Sequence, residues 1–195
     1  MPKIIGLTGG IGSGKTTIAN YIVAQGIPVY IADDAGKKVM QQQDIIEAIQ
    51  EKFGNDIVVE NKLNRPKLAE IVFNNPDQLQ VLNAIVHPAV KNDFKNWLEQ
   101  HADSPFVVYE SAILFESGSY TNFDVILTVT APLETRISRV LQRDNSQREQ
   151  VMNRINAQWT DEQRIAKSDF VIENVDINLA KSKIDEFLKI LSINQ

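Results

Sequence analysis

Residues Gly9-Gly10-Ile11-Gly12-Ser13-Gly14-Lys15-Thr16 satisfy the spacing G-x-x-x-x-G-K-[ST]. Glycines lack Cβ, so consecutive backbone amides in such a stretch can turn inward and form a nest for an anion. The stretch follows a short apolar run, Ile4 to Leu7, and leads into a helical pattern from Lys15 to Gln25 that stops at Gly26. The nest is therefore expected at a helix N-terminus, where unpaired amides and the helix dipole favour negative charge. Gly9, Gly10, Gly12, Ser13 and Gly14 would supply the cradle, and Lys15 would reach the β- and γ-phosphates of a nucleotide. Thr16 is placed to put its hydroxyl on magnesium and Thr17 to help at the α-phosphate. A glycine turn that merely joins strand to helix needs neither the lysine nor the hydroxyl.

Such a loop names ATP or GTP and leaves the reaction open. A GTPase switch would carry Asn-Lys-x-Asp to read guanine. The nearest stretch, Asn61-Lys62-Leu63-Asn64, lacks the aspartate and sits in mid-chain. Motor ATPases usually need a larger chain. A small-molecule kinase needs a base near the acceptor hydroxyl, charge to neutralise the transferring phosphoryl group, and a lid against water. Asp33 follows the apolar run Val29-Tyr30-Ile31 and is the candidate base, with Asp34 left to cap the next helix. Six of the seven arginines lie between Arg136 and Arg164. Taken as charge alone they describe a solvated helical face. Arg136, Arg139 and Arg143, however, fall at i, i+3 and i+7 beside an apolar stripe of Leu133, Ile137, Val140 and Leu141. A kinase gives that spacing a purpose: a helical lid over about 136–165, with Arg139 and Arg143 on the nucleotide and Arg143 assisting the transfer. Glu110, at the end of an apolar run, is a candidate to hold a magnesium-bound water, or else a strand-end acid.

The elements that must position these groups read as follows. Strands are expected at Ile4–Leu7, Val29–Ile31, Phe106–Tyr109, Val125–Val129 and Asp169–Ile172, separated by helices. Near-continuous apolar strands alternating with helices imply a three-layer α/β fold with a parallel central sheet. The stretch from about 35 to 100 is too long for one crossover and reads as a helical insertion within a single domain, 1–195. Capping boxes are expected at Asp44/Glu47, Ser146/Glu149 and Thr160/Gln163. Asn75-Pro76 should start a helix bearing a Leu79, Leu82, Ile85, Val86 stripe, and Pro88 should break it. Ile184, Phe187, Leu188 and Leu191 mark the inner face of a closing helix.

Composition removes other classes. The absence of cysteine excludes disulfides, thiolate metal sites and cysteine nucleophiles, and fits a cytoplasmic protein. A net charge of −5 gives no global nucleic-acid footprint. No apolar run approaches a membrane span, and the N-terminal run is a strand rather than a signal peptide. Nothing implies an obligate protein partner. Trp97 and Trp159 read as packing residues rather than base-stacking platforms.

The ordered set of motifs resembles the dephospho-coenzyme A kinase family. The resemblance is carried by Leu7 to Thr16, Ala32-Asp33, Leu63-Asn64-Arg65 with Leu68 and Ile71-Val72-Phe73, and Leu82-Asn83-Ala84-Ile85-Val86-His87-Pro88. It continues through Leu114-Phe115-Glu116, Arg139 to Asp144, Arg154 to Gln158, and Asp169 to Asn174, so it spans about residues 4 to 174. It implies a P-loop kinase core with an acceptor-binding insertion and a lid. The implied reaction moves the ATP γ-phosphate to the ribose 3′-hydroxyl of dephospho-coenzyme A, with magnesium and with Asp33 as base. Lys37, Arg65, His87 and Glu116 are the candidate acceptor contacts, although a histidine at a helix end also suits capping or packing. Four positions depart from the family pattern. Ile31 replaces a frequent aspartate, Ala112-Ile113 a Pro-Leu pair, Lys37 a common arginine and Arg136 a frequent glutamine. Another nucleoside or nucleotide kinase, or a regulatory nucleotide-dependent protein, remains the alternative.

Overall fold

The computed structural model describes residues 1–73 and 75–193. In chain order the elements are β1 (Lys3–Thr8), α1 (Lys15–Ala24), β2 (Val29–Ile31), α2 (Ala32–Val39), α3 (Gln43–Phe53), β3 (Val58–Val59), β4 (Lys62–Leu63), α4 (Arg65–Phe73), α5 (Pro76–Glu99), β5 (Phe106–Glu110), β6 (Val125–Thr130), α6 (Leu133–Asp144), α7 (Arg148–Asn156), α8 (Asp161–Ile165), β7 (Phe170–Glu173) and α9 (Ile177–Ile193). They form two compact units, residues 1–30 with 101–195, and residues 31–100.

The larger unit is built on a five-stranded parallel sheet in the order β2-β5-β1-β6-β7. Ile5 pairs in register with Val108 on one side and Val125 on the other, so β1 is central and must be covered on both faces. One face is closed by α1 and α9. Ile18, Ala19 and Ile22 from α1 join Ala180, Ile184, Phe187, Leu188 and Leu191 from α9 against Ile5, Leu7, Leu127, Val129 and Ile172. The four inner-face residues expected on the closing helix are all buried. The opposite face is covered by segment 111–123 and by Trp159, which stacks on Phe115 at 5.4 Å and 7°. In the smaller unit, Trp97 stacks on Phe94 at 5.9 Å. Ile184 is fully buried in the cluster that supports β1. An Ile184→Ala variant is expected to lose about 2–5 kcal/mol of stability in a urea titration, through lost transfer energy and an unfilled cavity.

The smaller unit has its own core of Ile49, Ile57, Leu68 and Val72, packed by Leu63, Leu82, Ile85 and Val86. Here the structure corrects several sequence expectations. Pro88 does not break the helix: α5 runs unbroken from Pro76 to Glu99. Proline removes the amide that would bond the Ala84 carbonyl, but Ala84, His87 and Pro88 are exposed, so water can satisfy that carbonyl. Asn75 caps the helix as expected, accepting from the Gln78 amide at 3.2 Å. Leu79 is 43% exposed and off the stripe that Leu82, Ile85 and Val86 form. Asp44 is not the cap of α3. Gln42 takes that place, while Glu47 accepts from the Gln43 side chain at 2.9 Å. Asp34 is likewise not a cap, because α2 starts directly at the end of β2 with Ile31 in the capping position. The stretch read as wholly helical also contains the β3–β4 hairpin, turned by Glu60 and Asn61 at φ 50° and 59°.

In the larger unit, α7 starts one residue later than its expected box. Gln147 is the cap, and its amide donates to Gln150 at 3.1 Å. The Thr160/Gln163 box forms as expected, with reciprocal bonds of 3.3 and 2.9 Å. On α6, Ile137 and Val140 are buried against Val151, with Leu141 beside them. Leu133 is 45% exposed and leaves the stripe. No described helix is long and apolar enough to cross a membrane.

Candidate functional site: a phosphate loop and its surroundings

The loop leaves β1 after Thr8 and enters α1 at Lys15. Gly9, Gly12 and Gly14 have φ of 151°, 79° and 95°, a backbone region that side chains rarely adopt. Space restricts them too. A Cβ on Gly9 would strike the Val129 carbonyl, one on Gly12 the Arg136 backbone, and one on Gly14 the Asn174 amide. Gly14 sits at the head of α1 and brings no side chain to cap it, and the first turn of a helix is where backbone amides and the helix dipole suit an anion. The Ser13 amide closes a turn on the Gly10 carbonyl at 3.1 Å. Thr16 and Thr17 are exposed in the first turn beside Lys15, and Ser13 is fully buried.

Glu110 ends β5, is 6% exposed and stands in register with Leu7, one residue before the end of β1. The Ser111 amide bonds the Leu7 carbonyl at 3.0 Å, which fixes the chain beside Glu110 under the loop. No cluster of three or more acidic, histidine or cysteine side chains suited to a metal occurs among the described residues. One threonine hydroxyl and one carboxylate fit magnesium, which takes few protein ligands and is held largely by substrate phosphates and water.

The three α6 arginines share one face but have different surroundings. Arg136 is 5% exposed and lies under the loop, with Nε donating to the Ile11 carbonyl at 2.9 Å and Nη1 to Asp161 at 3.1 Å. Arg139 donates to the carbonyls of Ser13 at 3.3 Å and Asn174 at 2.8 Å. Arg143 is exposed and pairs with Asp144 at 2.6 Å, and Asp144 also takes Arg154 at 2.8 Å. The bond from Arg143, then that from Arg154, holds the Asp144 carboxyl down at about 2, so it is charged at any ordinary pH. Glu116 accepts from the Trp159 amide at 2.9 Å and from Arg164 at 2.8 Å through one oxygen, while the other is buried without a partner. Arg164, fully buried, also reaches Asp161 at 3.4 Å.

In the smaller unit, Asp33 and Asp34 occupy the first turn of α2, and both are exposed. Lys37, one turn on, pairs with Asp34 at 2.7 Å. That bond, reinforced by the charges of Asp34 and Asp33, raises the lysine above its ordinary value. Arg65 donates to the Lys37 carbonyl, so these acid and base groups lie together. His87 is on an exposed mid-helix turn, not a helix end, in a shallow groove of about 500 Å³ with Leu79, Asn83 and Pro88.

Two loop contacts had no local signal. Gln158 accepts from the Ile11 amide at 2.9 Å, and Asn174 donates to the Ser13 carbonyl at 2.9 Å. Each is more than 140 residues from its partner, and only the glycine pattern itself is local.

Comparison with known proteins agrees with this geometry. The sequence model of the dephospho-CoA kinase family matches residues 3–179. A dephospho-CoA kinase of Fusobacterium nucleatum is 41% identical over 172 residues, covering 88% of this chain and 89% of the relative. A crystal structure of a Thermus thermophilus protein superposes with a TM-score of 0.88 at 32% identity, over 97% of both chains. The dephospho-CoA kinase of Campylobacter jejuni has the same fold, with a TM-score of 0.74 at 24% identity over the full length of both. An anion nest at a helix start, the strand order beneath it and a family match over most of the chain converge: this chain belongs to the dephospho-CoA kinase family.

Proposed function

We propose that this chain transfers the γ-phosphate of ATP to the ribose 3′-hydroxyl of dephospho-CoA, giving coenzyme A and ADP. The observation that carries the ATP half is the loop: three glycines at positive φ, packed where no side chain fits, lead straight into the head of α1. Lys15 neutralises the β- and γ-phosphates, and Thr17 assists at the α-phosphate. Arg139 lines the loop, and Arg143, on the last turn of α6, offsets charge on the phosphoryl group in flight. Thr16 would hold magnesium and Glu110 a water on it. The ion would supply positive charge that offsets the charge building on the phosphate oxygens.

The acceptor half rests on Asp33, two residues past the end of β2. In open α/β sheets the strand ends on that side hold the ligand. Asp33 takes the proton of the 3′-hydroxyl, the freed oxygen attacks the γ-phosphorus, and the bond to the bridging oxygen breaks to release ADP. Lys37, Arg65, His87 and Glu116 contact the acceptor, with residues from about 35 to 100 serving as the acceptor-binding insertion and about 136–165 as the lid. The exposed Asp33 carboxylate beside Lys37 and Arg65 supports that assignment.

An acceptor panel tests the proposal. With ATP and magnesium, dephospho-CoA is expected to be consumed far faster than AMP, dCMP or adenosine. Equal rates across the panel, or ATP hydrolysis indifferent to every acceptor, would overturn it.

A further inference from the structure

The loop's shape depends on side chains that no phosphate contact explains. In a trans peptide the C=O and the following N–H point in opposite directions. A side chain that holds one carbonyl therefore fixes the direction of the next amide. Arg136 holds the Ile11 carbonyl, which aims the Gly12 amide away from the guanidinium. Asn174 and Arg139 hold the Ser13 carbonyl, which aims the Gly14 amide in the same manner. Gln158 takes the Ile11 amide, so Ile11 is gripped through both of its backbone groups. A side chain on Gly10 would land on the Arg136 guanidinium, which shows how closely the arginine backs the loop.

The grip is itself anchored. Arg136 is too buried to be left unpaired, and Asp161 supplies the balancing charge. Asp161 also pairs with Arg164, and Arg164 with Glu116. Two cations and two carboxylates thus form one network from the loop, through the start of α8, to segment 111–123. Glycine-rich backbone has many accessible shapes, so an outside clamp removes those in which the amides diverge.

We propose that Arg136, Gln158 and Asn174 are positioning residues: Arg136 and Asn174 pre-set the Gly12 and Gly14 amides for a nucleotide phosphate, and Gln158 anchors the Ile11 amide between Gly10 and Gly12, none of them touching the phosphate. This rests on the loop being the ATP site. Gln158→Ala and Arg136→Met are expected to raise KM for ATP about tenfold or more, with KM for dephospho-CoA within about twofold of the parent. Gln158→Glu keeps the acceptor for the Ile11 amide, and Arg136→Gln keeps a donor for its carbonyl. Each is expected to recover part of the loss. Thermal melts accompany every variant, and Gln158→Ala decides the matter if Arg136→Met does not fold. A folded Gln158→Ala enzyme with unchanged KM for ATP would overturn the proposal, as would equal rises in both KM values or a fall in kcat alone. Lys15→Ala run in parallel separates the two readings. If it abolishes ATP use while Gln158→Ala does nothing, only the clamp fails; if it leaves ATP use intact, the loop's role fails as well.

Discussion

Asp33→Asn is expected to lower kcat by at least about a hundredfold, in the range for loss of a general base, while ATP affinity stays close to that of the parent. The substitution preserves shape and removes only the ability to accept a proton. Asp33 sits in the first turn of α2, exposed, one residue before an aspartate engaged by Lys37. Exposure suits a group that must meet an incoming hydroxyl. A steady-state measurement with saturating ATP and dephospho-CoA, paired with calorimetric titration of ATP, separates chemistry from binding. Turnover near that of the parent would remove Asp33 from the reaction, and a matching loss of ATP affinity would make it a structural residue of α2.

Lys15→Ala is expected to cost about 10²–10³-fold in kcat/KM for ATP, the scale for removing one pre-placed electrostatic contact to a transition state. The loss should be the same whichever acceptor is offered, because the lysine acts on the shared donor. Lys15 is the first residue of α1, directly after Gly14 at φ 95°. The chain geometry leaves little latitude in where its stem begins. Retention of ATP use within about threefold, measured by ADP release against ATP concentration, would contradict the assignment of the loop as the ATP site.

The parts of the site that rest on local chemistry are legible in the chain itself. Gly9, Gly12 and Gly14 announce positive φ by their type, and the flanking apolar runs place them between a strand and a helix. The parallel sheet is equally plain, because strands covered on both faces read as unbroken apolar runs. What is not legible depends on partners distant in sequence. Arg136 looks like another exposed lid arginine until the fold buries it on Ile11 and Asp161. Gln158 and Asn174 are ordinary polar residues until the chain brings them to the loop. The β3–β4 hairpin escapes notice because Glu60-Asn61 turns with no glycine. Pro88 misleads because a local rule is overridden: α5 has Leu82, Ile85 and Val86 packed before the proline and Val90 buried after it, and that packing outweighs one lost bond. The expected caps at Asp44 and Ser146 each miss the observed cap, because Gln42 and Gln147 are residue types that capping preferences rank low.

The position of the new phosphate bears most directly on phosphoryl transfer. Phosphorus NMR of the product formed from ATP and dephospho-CoA is expected to show one new phosphomonoester on the ribose 3′-oxygen, matched mole for mole by ADP. A phosphate elsewhere on the acceptor, or ADP and free phosphate with the acceptor unchanged, would contradict it.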